Sequence, residues 1–146
     1  MSTYNEMKLE FSSISENESF ARSVVSAFVI KLNPTLEELS DIKTAVSEAV
    51  TNAIIHGYEK CQGMVRIAGR IEENTVYLEI SDEGEGIPDI TKAMEPLYTS
   101  KPELDRSGMG FAFMEAFMDD LQVESEPGSG TKVKMRKTIY SAINIS

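Results

Sequence analysis

The sequence is poor in cysteine, histidine and positive charge, and each shortage excludes a class of protein. A single cysteine, Cys61, and a single histidine, His56, exclude a disulfide framework and a zinc cluster built within one chain. Lys and Arg number 14 against 24 Asp and Glu, and this net charge of −10 argues against binding to a nucleic-acid backbone. No apolar run approaches the roughly 20 residues of a membrane span, and the first residues lack a signal-peptide pattern. These absences predict a cytoplasmic protein that contacts neither membrane nor nucleic acid directly.

The rest of the composition fits one compact domain over residues 1–146. A chain of 146 residues buries roughly 70% of its unfolded surface, and 41% of these residues are hydrophobic. Hydrophobic periodicity predicts the order strand, helix, helix, strand, strand, loop, helix, strand, strand. Because the helices precede hairpin strands instead of alternating with strands, the pattern predicts an α+β sandwich and not a Rossmann fold. We expect a mixed, mostly antiparallel sheet with helices on one face.

Helix-start signals fix where the first two helices should begin. Ser15 with Glu18, and Thr35 with Glu38, have the spacing of a capping box, in which two side chains satisfy backbone N–H groups. The second of these helices should run to Gly57, since glycine is a common residue at the end of a helix. The sequence thus predicts two long helices in succession after the first strand.

Three short segments carry residues suited to chemistry, and the first lies on the second helix. Glu48, Asn52 and His56 are spaced four apart, which puts them in one row beside the apolar stripe of an α-helix. A carboxylate can take a proton, and an amide oxygen one turn away can ligate a hard cation. A solvated helix face is the alternative interpretation of this row by itself.

The second segment follows a predicted strand and contains Asp82, Gly84 and Gly86. It places a carboxylate at the rim of a sheet, beside backbone that can approach a ligand closely. The segment matches neither the Walker phosphate loop nor the Rossmann fingerprint. An ordinary glycine-containing turn is the alternative.

The third segment runs from Lys101 to Gly110 and opens the last predicted helix. Gly108 and Gly110 leave backbone N–H groups free at a helix start, where the helix dipole favours an anion. Lys101 and Arg106 add positive charge in an otherwise acidic chain. Taken alone, a glycine-containing helix start is a common feature.

In this order, the three segments resemble the N, G1 and G2 boxes of the histidine-kinase-like ATPase superfamily. The resemblance covers nearly the whole chain, and residues 47–58 and 99–111 are most similar to the anti-sigma serine kinases of spore-forming bacteria. It implies the Bergerat ATP-binding fold, a two-layer α/β sandwich. It also implies ATP and Mg²⁺ as cofactors and transfer of a phosphoryl group to a protein serine.

The resemblance also implies a role for each matching residue. It makes Glu48 the general base, Asn52 the ligand of Mg²⁺, and Asp82 the acceptor of a hydrogen bond from the adenine amino group. Arg106 would neutralise the charge that develops during transfer. The other implied nucleotide contacts are Gly84, Gly86, Thr99, Lys101, Ser107, Gly108, Gly110 and Thr131.

Partners follow from the same resemblance. No dimerisation helix with a phosphoacceptor histidine is present, so the acceptor would be a serine on an anti-anti-sigma protein. The family implies a homodimer that sequesters a sporulation sigma factor, with Arg22 and the first helix as candidate contacts.

Three alternatives remain: a stress-response anti-sigma kinase, a module that binds ATP without turnover, and an ATP domain cut from a histidine kinase. Glu48 argues against the second, because a binding pocket needs no base. The capped first elements and the complete closing hairpin argue against the third.

Overall fold

The computed structural model describes residues 4–57, 62–84 and 110–140. In these ranges the strands are β1 (Tyr4–Ser12), β2 (Met64–Glu72), β3 (Thr75–Asp82), β4 (Asp120–Glu126) and β5 (Gly130–Thr138). The α-helices are α1 (Glu16–Val29), α2 (Leu36–Asn52) and α3 (Gly110–Phe117). A 3₁₀ turn (Ile30–Leu32) follows α1, and a π-helical turn (Ala53–Gly57) follows α2. The predicted order of strands and helices is therefore confirmed for the described residues, while the predicted loop before α3 and the predicted helix start at Gly108 lie outside them.

The five strands form one sheet in the order β1-β2-β3-β5-β4. Both predicted hairpins, β2–β3 and β4–β5, are present, and each pair of neighbouring strands is antiparallel. The α+β class is confirmed, but the parallel pairing that a mixed sheet would contain does not occur among the described strands. The β2–β3 and β4–β5 pairs are antiparallel because a short turn joins the two strands of each pair.

The helices cover one face of the sheet, and α2 lies between α1 and α3. Strand residues that point toward the helices alternate with residues that point away, as in the buried Val76, Leu78 and Ile80 of β3. Lys137 on β5 fixes the far end of α3, since its Nζ donates to the carbonyl oxygen of Phe117 at 2.7 Å. The same Nζ lies 3.6 Å from a carboxylate oxygen of Asp41 on α2. This lysine ties the sheet to both helices.

The other face of the sheet, here called the open face, is polar. It carries six of the fourteen cations of the chain, which are Lys8, Arg66, Arg70, Lys132, Lys134 and Arg136. Acidic side chains of neighbouring strands lie beside them, such as Glu10 at 3.5 Å from Arg66 and Glu124 at 2.9 Å from Lys134. The guanidinium carbon of Arg70 lies 4.1 Å from the ring centre of Tyr77. Charges of both signs therefore alternate across the open face.

Only one of the two predicted capping boxes is present. Thr35 accepts from the Glu38 N–H at 3.0 Å, and the Glu38 carboxylate accepts from the Thr35 N–H at 2.9 Å. The prediction for Ser15 and Glu18 is wrong. Ser15 has helical backbone angles (φ −61°, ψ −29°), whereas a capping side chain reaches the first-turn N–H groups from an extended backbone. Glu18 instead accepts a hydrogen bond from Ser47 of α2.

Among the described residues, no helix is long and apolar enough to cross a membrane.

Candidate functional site

Asp82 ends β3 and places a carboxylate at the rim of the sheet. It is 9% exposed, and it lies directly opposite Thr131 of β5. The Gly84 N–H donates to Asp82 Oδ1 at 2.9 Å. Burial raises the pKa of Asp82 above its ordinary value, and the hydrogen bonds from the backbone of Gly84 and Thr131 oppose that shift. Asp82, Gly84 and Thr131, which are three of the nucleotide contacts that the resemblance implies, are therefore close together.

Because its pKa is raised on folding, the charged form of the Asp82 carboxyl group does not stabilise the folded protein. Because the pKa of Asp82 is higher in the folded protein, protonation favours folding. This contribution is full below the unfolded pKa and is lost as the pH rises through the raised pKa. When the carboxyl group is charged, a hydrogen-bond donor from a ligand would offset its burial.

Gly130, the first residue of β5, lets this part of the backbone pack closely, and the sequence analysis missed it. Its φ of +88° is unfavourable for other residues, and a Cβ there would lie 2.1 Å from the carbonyl oxygen of Asp82. In the sequence, Gly128 and Gly130 look like two residues of one hairpin turn. The second glycine, placed where the strand begins, was the only available signal.

Ser125 of β4 fixes the same end of β5. Its hydroxyl donates to the Gly130 carbonyl oxygen at 2.9 Å and lies 2.9 Å from the Thr131 hydroxyl oxygen. The start of β5 is therefore held on both sides, by Asp82 of β3 and by Ser125 of β4. The sequence analysis missed this serine too, because the contact depends on the register of β4 and β5.

Glu48 and Asn52 of α2 meet the first residue of α3. A Cβ at Gly110 would lie 3.2 Å from Asn52 Nδ2, 3.4 Å from Asn52 Oδ1 and 3.4 Å from Glu48 Oε2. Glycine therefore allows the start of α3 to rest on both polar side chains. Residues that are far apart in the sequence are brought together, and backbone N–H groups at a helix start lie beside a carboxylate and an amide.

The π-helical turn after Asn52 joins this cluster to the sheet. It contacts β3 and β5, the strands that carry Asp82 and Thr131. It also changes the geometry that was expected for His56. The predicted row assumed α-helical spacing through residue 56, but α2 ends at Asn52 and the following turn has i→i+5 spacing. Glu48 and Asn52 belong to α2, whereas the His56 side chain lies outside the described residues, so its place in the row stays a prediction.

Six predicted site residues fall outside the described parts of the chain, so their roles stay predictions. They are Gly86, Thr99, Lys101, Arg106, Ser107 and Gly108. The described members occupy one corner of the fold, where the ends of α2 and β3 approach the starts of α3 and β5.

The donor set in this corner suits a magnesium nucleotide better than a bare metal ion. In residues 4–57, 62–84 and 110–140, no three His, Cys, Asp or Glu residues are grouped so that they could hold a metal. Mg²⁺ commonly uses one or two protein oxygens together with phosphate oxygens. Asn52 Oδ1, beside Gly110, fits that requirement as the protein oxygen, and the Glu48 carboxylate next to it is left to act as a base.

Comparison with known proteins agrees with this geometry. The sequence profile described as "Histidine kinase-like ATPase domain" matches residues 11–137. The chain belongs to this family. The family accounts for a nucleotide corner built from one helix, the start of another helix and the rim of an antiparallel sheet.

The relatives and the solved structures differ in how closely they match this chain. The chain is 61% identical to an anti-sigma F factor of Clostridium acetobutylicum, over 91% of this chain and 93% of the relative. It is 58% identical to an anti-sigma F factor of Bacillus subtilis, over 91% and 92%. The crystal structure of the RsbU and RsbW domains of a Mycobacterium tuberculosis protein has a TM-score of 0.67 at 16% identity, covering 92% of this chain and 32% of that one. A histidine kinase domain from Erythrobacter litoralis has a TM-score of 0.54 at 15% identity, over 86% and 62%. These two structures support the fold alone.

Proposed function

We propose that this protein is an anti-sigma factor and an ATP-dependent serine kinase. It sequesters a sporulation sigma factor and phosphorylates the anti-anti-sigma protein that opposes it. The observation that carries the kinase part is the placement of Glu48 and Asn52 against Gly110, which brings a carboxylate and an amide oxygen together at the first residue of α3. The two partners are proposed from relatives about 60% identical over most of the chain, which are anti-sigma F factors.

Phosphoryl transfer requires positioning and compensation of charge more than covalent chemistry by the protein. Asp82 would hold the adenine through its amino group, and the start of α3 at Gly110 would face the phosphates. Glu48 would take the proton of the acceptor serine. The serine oxygen would then bond to the γ-phosphorus, and ADP would leave with the electrons of the broken P–O bond. Asn52 would hold Mg²⁺, which neutralises charge on the phosphates. Lys101 and Arg106, from the undescribed segment, would add positive charge.

The proposal extends to the setting of the reaction. We expect a homodimer in the cytoplasm, with residues 1–146 forming one domain in each copy and no direct contact with DNA or membrane. A module that only binds ATP is disfavoured, because binding alone would not require a carboxylate beside Asn52 and Gly110.

Incubation with γ-labelled ATP, Mg²⁺ and a candidate anti-anti-sigma protein tests the kinase activity. We expect label on one serine of the candidate protein, identified by peptide mapping, and none on the kinase itself. A parallel reaction with the Glu48→Gln variant is the control for contaminating kinases. Label on a histidine, or no label above this control with several candidates, would contradict the proposed reaction.

Asp82 also predicts a preference for adenine over guanine. Adenine presents an amino group that can donate to the carboxylate, whereas guanine presents a carbonyl oxygen and would leave two acceptors facing each other. A buried polar group without its partner costs about 1–3 kcal/mol, or roughly 5- to 150-fold in affinity. Calorimetric titration with ADP and GDP measures the difference, and equal affinities would show that Asp82 does not read the base.

A further inference from the structure

The packing between α1 and α2 contains a polar link beside the proposed base. The Ser47 hydroxyl on α2 donates a hydrogen bond to the Glu18 carboxylate on α1. Ser47 directly precedes Glu48, and consecutive side chains leave an α-helix about 100° apart. Ser47 therefore faces α1, while Glu48 faces the start of α3. The link joins α1 to α2 at the level of the proposed base.

The core residues of these two helices do not provide a contact of this kind. The buried side chains of α1 and α2 are apolar, and those near the link are small, namely Ala21, Val25, Ala45, Val46 and Ala49. Apolar contacts are non-directional, so they specify the rotation of a helix less sharply than a hydrogen bond does. A hydrogen bond depends on distance and angle, and it opposes both sliding and rotation of α2. The Ser47–Glu18 bond is a directional contact between α1 and α2, and it can set the rotation of α2 near Glu48.

The same carboxylate is also held from the outer side of α1. Arg22 Nη1 lies 3.8 Å from Glu18 Oε1, the oxygen that accepts from Ser47. Arg22 is 40% exposed and Glu18 is 22% exposed, so Glu18 lies between the surface and the helix interface. Glu18 makes no capping box with Ser15. Its carboxylate contacts Ser47 and Arg22 instead.

We propose that Glu18 is a positioning residue for Glu48. Through Ser47 it fixes the rotation of α2, and it thereby holds Glu48 and Asn52 where α3 begins. The inference rests on the proposed phosphoryl transfer. Displacing a reacting group by about 1 Å can cost 10²-fold in rate, so loss of one interhelical hydrogen bond is sufficient to be measured.

Substitutions at both ends of the link test this role. We expect Ser47→Ala to lower kcat for phosphoryl transfer by about 5- to 50-fold, with the KM for ATP and the melting temperature nearly unchanged. Ser47→Thr keeps a hydroxyl donor and should retain most of the activity. Ser40→Ala removes an exposed serine from the same helix and serves as the matched control.

The Glu18 end has its own conservative variant and control. Glu18→Gln keeps an acceptor oxygen for Ser47 and should be more active than Glu18→Ala, whereas Glu37→Ala, at an exposed position in the first turn of α2, should behave as the parent. The double variant Glu18→Ala, Ser47→Ala should be no slower than either single variant, because both remove one interaction.

The outcomes separate this inference from the proposed function. An active parent whose kcat is unaffected by Ser47→Ala overturns the positioning role and leaves the kinase intact. A fall in kcat that accompanies a lower melting temperature, without rescue by Ser47→Thr, shows a merely structural bond and also overturns it. A parent that phosphorylates no acceptor overturns the proposed function, and the positioning role with it.

Discussion

The Glu48→Gln variant is expected to bind nucleotide like the parent and to transfer phosphate about 10²- to 10⁴-fold more slowly, the usual contribution of a positioned base. The amide has the size of the carboxylate and can still pack beside Gly110, where Glu48 Oε2 lies 3.4 Å from the position of a Cβ. It cannot accept the serine proton at neutral pH. Single-turnover transfer from labelled ATP and calorimetric titration with ADP measure the two properties separately.

Asn52→Ala is the matched comparison for this variant, because both side chains contact Gly110 from the same helix. It should weaken binding of ATP in the presence of Mg²⁺ and have less effect in its absence. If Glu48→Gln transferred phosphate at the parent rate, another residue would have to be the base.

Gly130→Ala should lower the free energy of unfolding and disrupt the candidate site. Gly128→Ala is the matched control, because it replaces a glycine of similar φ two residues away. Both glycines have positive φ, +88° and +81°, so each alanine incurs a left-handed backbone cost of about 1–2 kcal/mol. A Cβ at Gly128 would meet nothing within 4 Å, whereas one at Gly130 would lie 2.1 Å from the Asp82 carbonyl oxygen. We expect the free energy of unfolding to fall by about 2 kcal/mol or more beyond the loss in Gly128→Ala, because β3 and β5 must separate.

The same pair of variants reports on the site. Separation of the strands at Gly130 displaces Asp82 from Thr131, so Gly130→Ala should lose ADP affinity that Gly128→Ala retains. Urea denaturation gives the stabilities, and calorimetry gives the affinities of the fraction that remains folded. Equal stabilities and equal ADP affinities of the two alanine variants would mean that the backbone of β3 moves away from the new Cβ at no cost in free energy, and would contradict the prediction.

The fold was largely predictable because its main signals are local. Alternating apolar residues give each strand two distinct faces, and the apolar stripe of α2 continues over its full length. Thr35 and Glu38 formed the expected capping box because both residues belong to one helical turn. Ser15 and Glu18 have the same spacing but not the same geometry, since a contact from another helix engages Glu18. Long-range contacts of this kind leave no periodic signal in a sequence.

The candidate site also contains features that local sequence patterns predicted and features that depend on long-range contacts. Helical spacing predicted that Glu48 and Asn52 share a face, and β3 predicted that Asp82 lies at a sheet rim. Their meeting with Gly110 could be expected only from the family resemblance, because nothing local relates α2 to the start of α3. The π-helical turn was not predictable either, because the α-helical spacing of the row contains no signal that α2 ends at Asn52.

The cations on the open face also bear on how fast a nucleotide is expected to reach the candidate site. Six of the fourteen cations lie there among acids, on the side of the sheet opposite the helices that carry Glu48, Asn52 and Gly110. We therefore expect a nucleotide to meet the field of a chain with net charge −10, so that long-range repulsion slows the encounter. Added salt shortens the reach of this field to about 10 Å at 0.1 M ionic strength, so association should become faster as salt rises. Tight binding would then depend on slow dissociation from short-range contacts in the site, and not on rapid electrostatic capture.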